Sequence, residues 1–151
     1  MTDKKLSKQL SGISGEYFVA AELSRRGFLA AITLRNSESI DIFANSILTN
    51  KQICIQVKTS QNKRKWPLSE KVERDKSLNK IYVFVNLISK NSLPEYFLID
   101  AISLSKIIEE GHKKWLQTPN KKGGIHNNTK IREFSDFNEK YKDNWEILDK
   151  F

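Results

Sequence analysis

Apolar residues recur at spacings of three and four between Leu6 and Arg26, at Leu10, Ile13, Tyr17, Ala20, Ala21 and Leu23. This pattern predicts an amphipathic helix that Gly27 ends. The period then shortens. Leu29 to Leu34 and Ile40 to Ala44 read as short strands, with turn chemistry at Asn36 and Ser37, and Thr49 to Gln52 turns the chain into the run ICIQVKTS, Ile53 to Ser60. Two further strands are expected over Ile81 to Leu87 and Tyr96 to Ile99. A helix follows from about Ser103 to Leu116, with Ile107, Ile108 and Trp115 on its apolar side. Between these blocks, Thr59 to Lys80 is polar and basic and reads as a loop with a short helix from Ser69. Asn120 to Lys130 reads as a surface loop. The tail has a β-like piece ending at Phe134, an N-cap at Ser135, and aromatics Phe137, Tyr141, Trp145 and Phe151 that dock it onto the body.

The run ICIQVKTS departs from its own pattern. Successive side chains of a strand point to opposite faces, so Ile53, Ile55 and Val57 share one side while Cys54, Gln56 and Lys58 share the other. A buried strand with a glutamine and a lysine on one face needs a reason for both. Two other acidic positions are equally out of place. Glu16 lies beside Gly12, Val19, Ala20 and Leu23 on the first helix, and Asp41 interrupts IDIFA with an apolar neighbour on each side. A carboxylate against a core is costly unless it is paired or binds a metal. Each also has a plainer reading: a glutamate at the rim of a helix stripe, an aspartate at a strand edge, a lysine snorkelling to water, or a Glu16–Lys58 ion pair.

Composition narrows the partners. The chain of 151 residues has 26 Lys+Arg against 18 Asp+Glu, a net charge of +8, which suits a polyanion such as nucleic acid. Its length suits one domain, residues 1–151, whose last part from about residue 118 forms an extension packed on the core. The single cysteine, Cys54, excludes an internal disulfide and reads as a small core residue in a reducing compartment. No apolar run is long enough for a membrane span and the first residues lack a signal-peptide pattern, so a cytoplasmic protein is expected. His112 and His126 have no partners at zinc-ligand spacing, and there is no Walker-type phosphate loop.

In order along the chain, GEYFVAAELSRRGF, ESIDIFA and ICIQVKTS place a helix glutamate, a strand aspartate and a Gln-x-Lys tripeptide. Together they resemble the PD-(D/E)XK nuclease superfamily, which includes type II restriction enzymes and archaeal Holliday-junction resolvases. The Gln-x-Lys form is similar to that of Mrr-type nucleases. Ile40 stands where the name-giving proline would be, and Gln56 replaces an acidic ligand.

The resemblance implies an α/β fold with a restriction-endonuclease-like core: an N-terminal helix, then a mixed central sheet of about five strands flanked by helices. It implies a metal-dependent DNA endonuclease whose catalytic residues are Glu16, Asp41, Gln56 and Lys58. Glu16, Asp41, the Gln56 amide oxygen and the Val57 carbonyl would hold Mg²⁺ or Mn²⁺, a hard cation that takes oxygen ligands. The cation would polarise the scissile phosphate, and Lys58 would orient the attacking water and offset transition-state charge. Gln61, Lys63, Arg64, Lys65, Lys121, Lys122 and Lys130 would contact the nucleic acid, and Trp66 and Trp115 are candidates for stacking on bases. A homodimer would supply the two sites that double-strand cutting needs. The alternative is a catalytically weak or inactive nuclease-fold module that binds nucleic acid or a protein partner, and Gln56 is its main support.

Overall fold

Ser7 opens the first helix by accepting the Leu10 N–H on its hydroxyl, and Gly27, at φ +86°, lets the chain leave it. These caps bound α1, Lys8–Arg25, in a computed structural model that describes residues 5–34 and 39–151. The stripe that α1 buries is Ser11, Gly15, Val19 and Leu23. Leu10 and Tyr17, expected on the buried face, are 55% and 65% exposed. In the first half of the helix the buried residues, Ser11 and Gly15, are small because the helix lies close to the sheet there: a Cβ on Gly15 would stand 1.9 Å from the Thr59 hydroxyl oxygen.

Strands β1 (Phe28–Ile32), β2 (Ile42–Ser46) and β3 (Gln52–Gln61) form an antiparallel meander, with Ile32 opposite Ile42 and Ile42 opposite Ile55. The turn expected at Asn36 and Ser37 lies outside the described residues. After β3 the chain forms β4 (Lys65–Ser69) and a 3-10 helix (Glu70–Arg74), then returns as β5 (Lys80–Leu87), parallel to β3. β6 (Glu95–Asp100) pairs antiparallel with β5, giving a five-stranded mixed sheet in the order β1-β2-β3-β5-β6. Asp100 caps α2 (Ala101–Gln117) by accepting the Ser103 N–H. Further on, β7 (Ile131–Ser135) pairs with β4 as a separate two-stranded sheet, and a 3-10 helix covers Trp145–Lys150.

The region Thr59 to Lys80, expected as a loop with a short helix from Ser69, has that helix as the 3-10 turns Glu70–Arg74 capped by Ser69, but the rest is largely strand, and the partner of β4 is supplied from far along the chain. That pairing turns the alternation of Trp66 and Leu68 inward. Trp66 is 1% exposed, donates its indole N–H to the Val85 carbonyl at 3.0 Å, and packs against Phe84, Phe97 and Phe134. It is a core residue and has no face free to stack on a base.

The two faces of the sheet carry separate cores. α1 covers Ile42, Ile53, Ile55, Val57, Val83 and Val85, with Ile147 and Leu148 of the tail at the rim of the same cluster. On the other face, α2, β4 and the first 3-10 helix cover Tyr82, Phe84, Phe97 and Ile99. α2 buries Ala101, Leu104, Ser105 and Ile108, whereas Ile107 and Trp115 are exposed, a shift of the expected stripe toward the first half of the helix. Phe137 is also exposed, and Ser135 ends β7 instead of capping a helix. Cys54 is half-buried instead of sitting in the core.

Candidate metal and nucleic-acid site

The first residue past the turn into β2 is fixed by its neighbours on both sides. Asp41 donates its N–H to the Ile55 carbonyl at 2.8 Å and accepts the Thr33 N–H on its own carbonyl at 2.9 Å. Its side chain thus lies on the same sheet face as Gln56, across the strand pair. There one carboxylate oxygen, Oδ2, accepts two hydrogen bonds, from Gln56 Nε2 at 2.6 Å and from the Val57 N–H at 2.7 Å. Gln56 is 6% exposed, so its amide is held in place. The N–H and C=O of a strand residue face the same edge, so the Val57 carbonyl opens on the Asp41 side as well, past the first residue of β2.

Lys58 follows on the same face as Gln56 and is half-buried. Gln56 and Lys58 open into a cleft of about 480 Å³ between the sheet and the segment formed by β4 and the first 3-10 helix. Lys71 and Arg74 stand on that outer wall, and neither takes part in the ion pairs seen among the described residues. Lys130 approaches the same wall, its carbonyl accepting the Glu70 N–H. The fourth cation of the cleft, Lys80, is neutralised. It is buried and donates to Asp75 Oδ2 at 2.7 Å, and the Tyr82 hydroxyl donates to the same oxygen at 2.7 Å. Burial pushes the Asp75 carboxyl upward, but the bonds from Lys80, Ser77 and Tyr82 outweigh it and hold the group at about 2. Burial, reinforced by Asp75, pushes the Tyr82 phenol up.

Glu16 is carried by α1, which lies on the other face of the sheet from Gln56 and Lys58. The contact of Gly15 with Thr59 sets α1 directly over the end of β3, and the next residue, half-buried Glu16, therefore stands at the level of Lys58 and Thr59. The Thr59 hydroxyl oxygen, pressed under Gly15, is buried with no hydrogen-bond partner. Among the described residues no three His, Cys, Asp or Glu side chains cluster as a metal-binding group. The groups that could hold a cation are the Asp41 and Glu16 carboxylates with main-chain or amide oxygen, a set that suits a hard ion retaining several waters.

The other residues singled out from the sequence are placed elsewhere. Gln61 spends its amide on the N-terminal segment, accepting the Leu6 N–H at 2.8 Å and donating to the Leu6 carbonyl at 3.0 Å. Arg64 binds Glu95 through two bonds, at 3.0 and 2.5 Å, and Glu139 at 2.8 Å; these contacts tie the start of β4 to β6 and the tail. Lys65 pairs with Glu133 across the small sheet. Lys63, Lys121 and Lys122 are exposed. Trp115, 41% exposed, is stacked with His112 and His126, at centroid distances of 5.5 and 4.0 Å, beside a second pocket between α2 and the β4–β7 pair. Lys71 and Arg74 belong to the basic run visible in the sequence. Their role as a wall over Gln56 and Lys58 is visible only once β4 has found β7.

The chain matches no protein-family description. It also matches no curated protein sequence. Among solved structures it is similar to a bacterial homing endonuclease, I-Ssp6803I, at 10% identity and a TM-score of 0.54, over 95% of this chain and 92% of that one. A second similar structure is the Holliday junction resolvase Hjc of Archaeoglobus fulgidus, at 12% identity and a TM-score of 0.43, covering 78% and 85% of the two chains. The fold is thus that of nuclease-like proteins, as the three motifs implied.

Proposed function

We propose that this protein is a metal-dependent endonuclease that hydrolyses phosphodiester bonds in DNA, acting through Glu16, Asp41, Gln56 and Lys58. The observation that carries this reading is the placement of the Asp41 carboxylate, fixed by Gln56 and Val57, against the Gln56 wall of a cleft that Lys58, Lys71 and Arg74 also line. Both donors to Asp41, the Gln56 amide and the Val57 N–H, are neutral, and together they fix Oδ2 in place.

Asp41, Glu16 and the Val57 carbonyl would hold a hard divalent cation such as Mg²⁺ or Mn²⁺, which would supply Lewis acidity toward the scissile phosphate. The remaining work falls to the chain. Lys58, on the cleft side of β3, meets the phosphate and stabilises the charge that develops on it. Lys71 and Arg74 hold the flanking backbone from the opposite wall, a contact that carries no sequence information by itself. One chain has one such site, so cutting both strands of a duplex takes two chains.

The test is cleavage of supercoiled plasmid, linear duplex, four-way junction and single strand in Mg²⁺ and in Mn²⁺, wild type beside Lys58→Ala. Metal-dependent cutting that falls at least a hundredfold in the variant, with DNA affinity nearly unchanged, is the expected result. DNA binding without cutting by either protein, in both metals, would overturn the catalytic assignment. That outcome is the second reading, an inactive nucleic-acid-binding module, and the observation in its favour is Gln56, an amide where a third carboxylate would strengthen cation binding.

A further inference from the structure

The Gln56 amide can face Asp41 in only one sense. Its nitrogen lies 2.6 Å from Oδ2, and turning the amide over would set its oxygen against a carboxylate oxygen at that distance, which is repulsive with nothing positive between them. The nitrogen therefore faces Asp41, and Gln56 Oε1 points away from it. Asp41 Oδ2 already accepts a second N–H, from Val57 at 2.7 Å, and has no further capacity for a cation. What remains is Asp41 Oδ1, Glu16 and the Val57 carbonyl. This leaves two formal charges, one of them partly balanced by two donors, for an ion that gives up its water reluctantly.

We infer, on the nuclease reading above, that Gln56 is a positioning residue that holds Asp41 and does not itself ligate the cation, and that the cation binds together with the substrate phosphate instead of before it. The phosphate supplies the negative charge that Gln56 does not. Linkage then requires that nucleic acid tighten cation binding by the same factor as the cation tightens nucleic-acid binding. The cation-lined wall of Lys71 and Arg74 acts in the same direction, since without a phosphate in the cleft it repels a dication.

The experiment is calorimetric titration of the full chain with Ca²⁺, with and without a short DNA duplex, for wild type and Gln56→Glu, with Asp41→Asn as the control for ions held by the DNA alone. Wild type is expected to bind Ca²⁺ at least tenfold more tightly when DNA is present. Gln56→Glu sets two carboxylates against each other, and a cation between them relieves the repulsion. It should bind Ca²⁺ without DNA at least tenfold more tightly than wild type, gain less from added DNA, and show a melting temperature that drops in chelator and recovers with the ion. Equal Ca²⁺ affinity of wild type with and without DNA would overturn the inference, as would a Gln56→Glu protein that binds the ion no better than wild type. A second measurement decides the clamp even if that variant does not fold: the Gln56 side-chain NH₂ protons of wild type should exchange slowly both alone and in the Ca²⁺–DNA complex, whereas faster exchange in the complex would mean that the amide has turned to the ion. A protein that binds no DNA would sink the nuclease reading, and the two ion affinities measured without DNA would still decide whether Gln56 withholds a ligand.

Discussion

Gly15→Ala separates the position of α1 from its stability. A Cβ at Gly15 would lie 1.9 Å from Thr59 Oγ1, 3.1 Å from Thr59 Cβ and 3.2 Å from Thr59 Cγ2. Rotating Thr59 moves the hydroxyl but leaves its Cβ in place, so the helix itself must back away from β3. Overpacking of this kind costs about 1–3 kcal/mol, and replacing a mid-helix glycine with alanine returns about 1 kcal/mol. The net loss is on the order of 0–2 kcal/mol, small against the ~5–15 kcal/mol of a typical domain. Catalysis should suffer more. Glu16 is the next residue, and a displacement near 1 Å costs about a hundredfold in rate. The assay is thermal melting beside initial rates of plasmid nicking, measured well below the melting temperature. Thr59→Gly in the Gly15→Ala background removes the Thr59 Cβ together with both atoms beyond it and should restore most of the rate. An activity within twofold of wild type for Gly15→Ala, or no recovery in the double variant, would refute the claim that this contact positions Glu16.

Thr59→Val exchanges a buried hydroxyl that lacks a partner for a methyl group, and melting curves should show a gain on the order of 1 kcal/mol. Asp75→Asn leaves the Lys80 ammonium buried without its carboxylate, a loss of about 3–5 kcal/mol at neutral pH by denaturant titration. Asp75 is held at about 2 when folded, below its usual value near 4. Its stabilisation is therefore complete above that usual value and is lost as pH falls toward 2, so the wild-type and variant curves should converge across that window. Lys71→Gln with Arg74→Gln should weaken DNA binding at low salt without altering the melting temperature, and should lower the magnitude of the salt slope by about 2.

How far the site could be read in advance depended on the range of the contacts that build it. The α1 helix, the meander and the strands β5 and β6 rest on local periodicity and turn residues, and they appear within a few positions of where the pattern places them. Asp41, Gln56 and Lys58 were legible for a related reason: polar residues on an apolar strand face are anomalies in a period of two. The clasp of Gln56 on Asp41 was not legible, because an amide can turn either end to a partner and sequence does not choose between them. The wall was missed for another reason. Trp66 and Leu68 alternate over too few residues to identify a strand, and the partner that completes it, β7, lies far along the chain. Arg64 and Gln61 looked like exposed polar residues of a basic loop. Their partners, Glu95 and the main chain of Leu6, are brought to them only by the fold.

The pairing of β4 with β7 also orders events in time. The meander that carries Asp41 and Gln56 joins neighbours in sequence, whereas joining Ser69 to Ile131 closes a loop of roughly sixty residues, a slow step relative to local pairing. During synthesis the strands that carry Asp41 and Gln56 leave the ribosome well before the strand that seats Lys71 and Arg74 opposite them. On the nuclease reading, the chain would acquire its carboxylates early and its grip on a phosphate backbone late, and a partly made copy would have no closed cleft in which to engage nucleic acid.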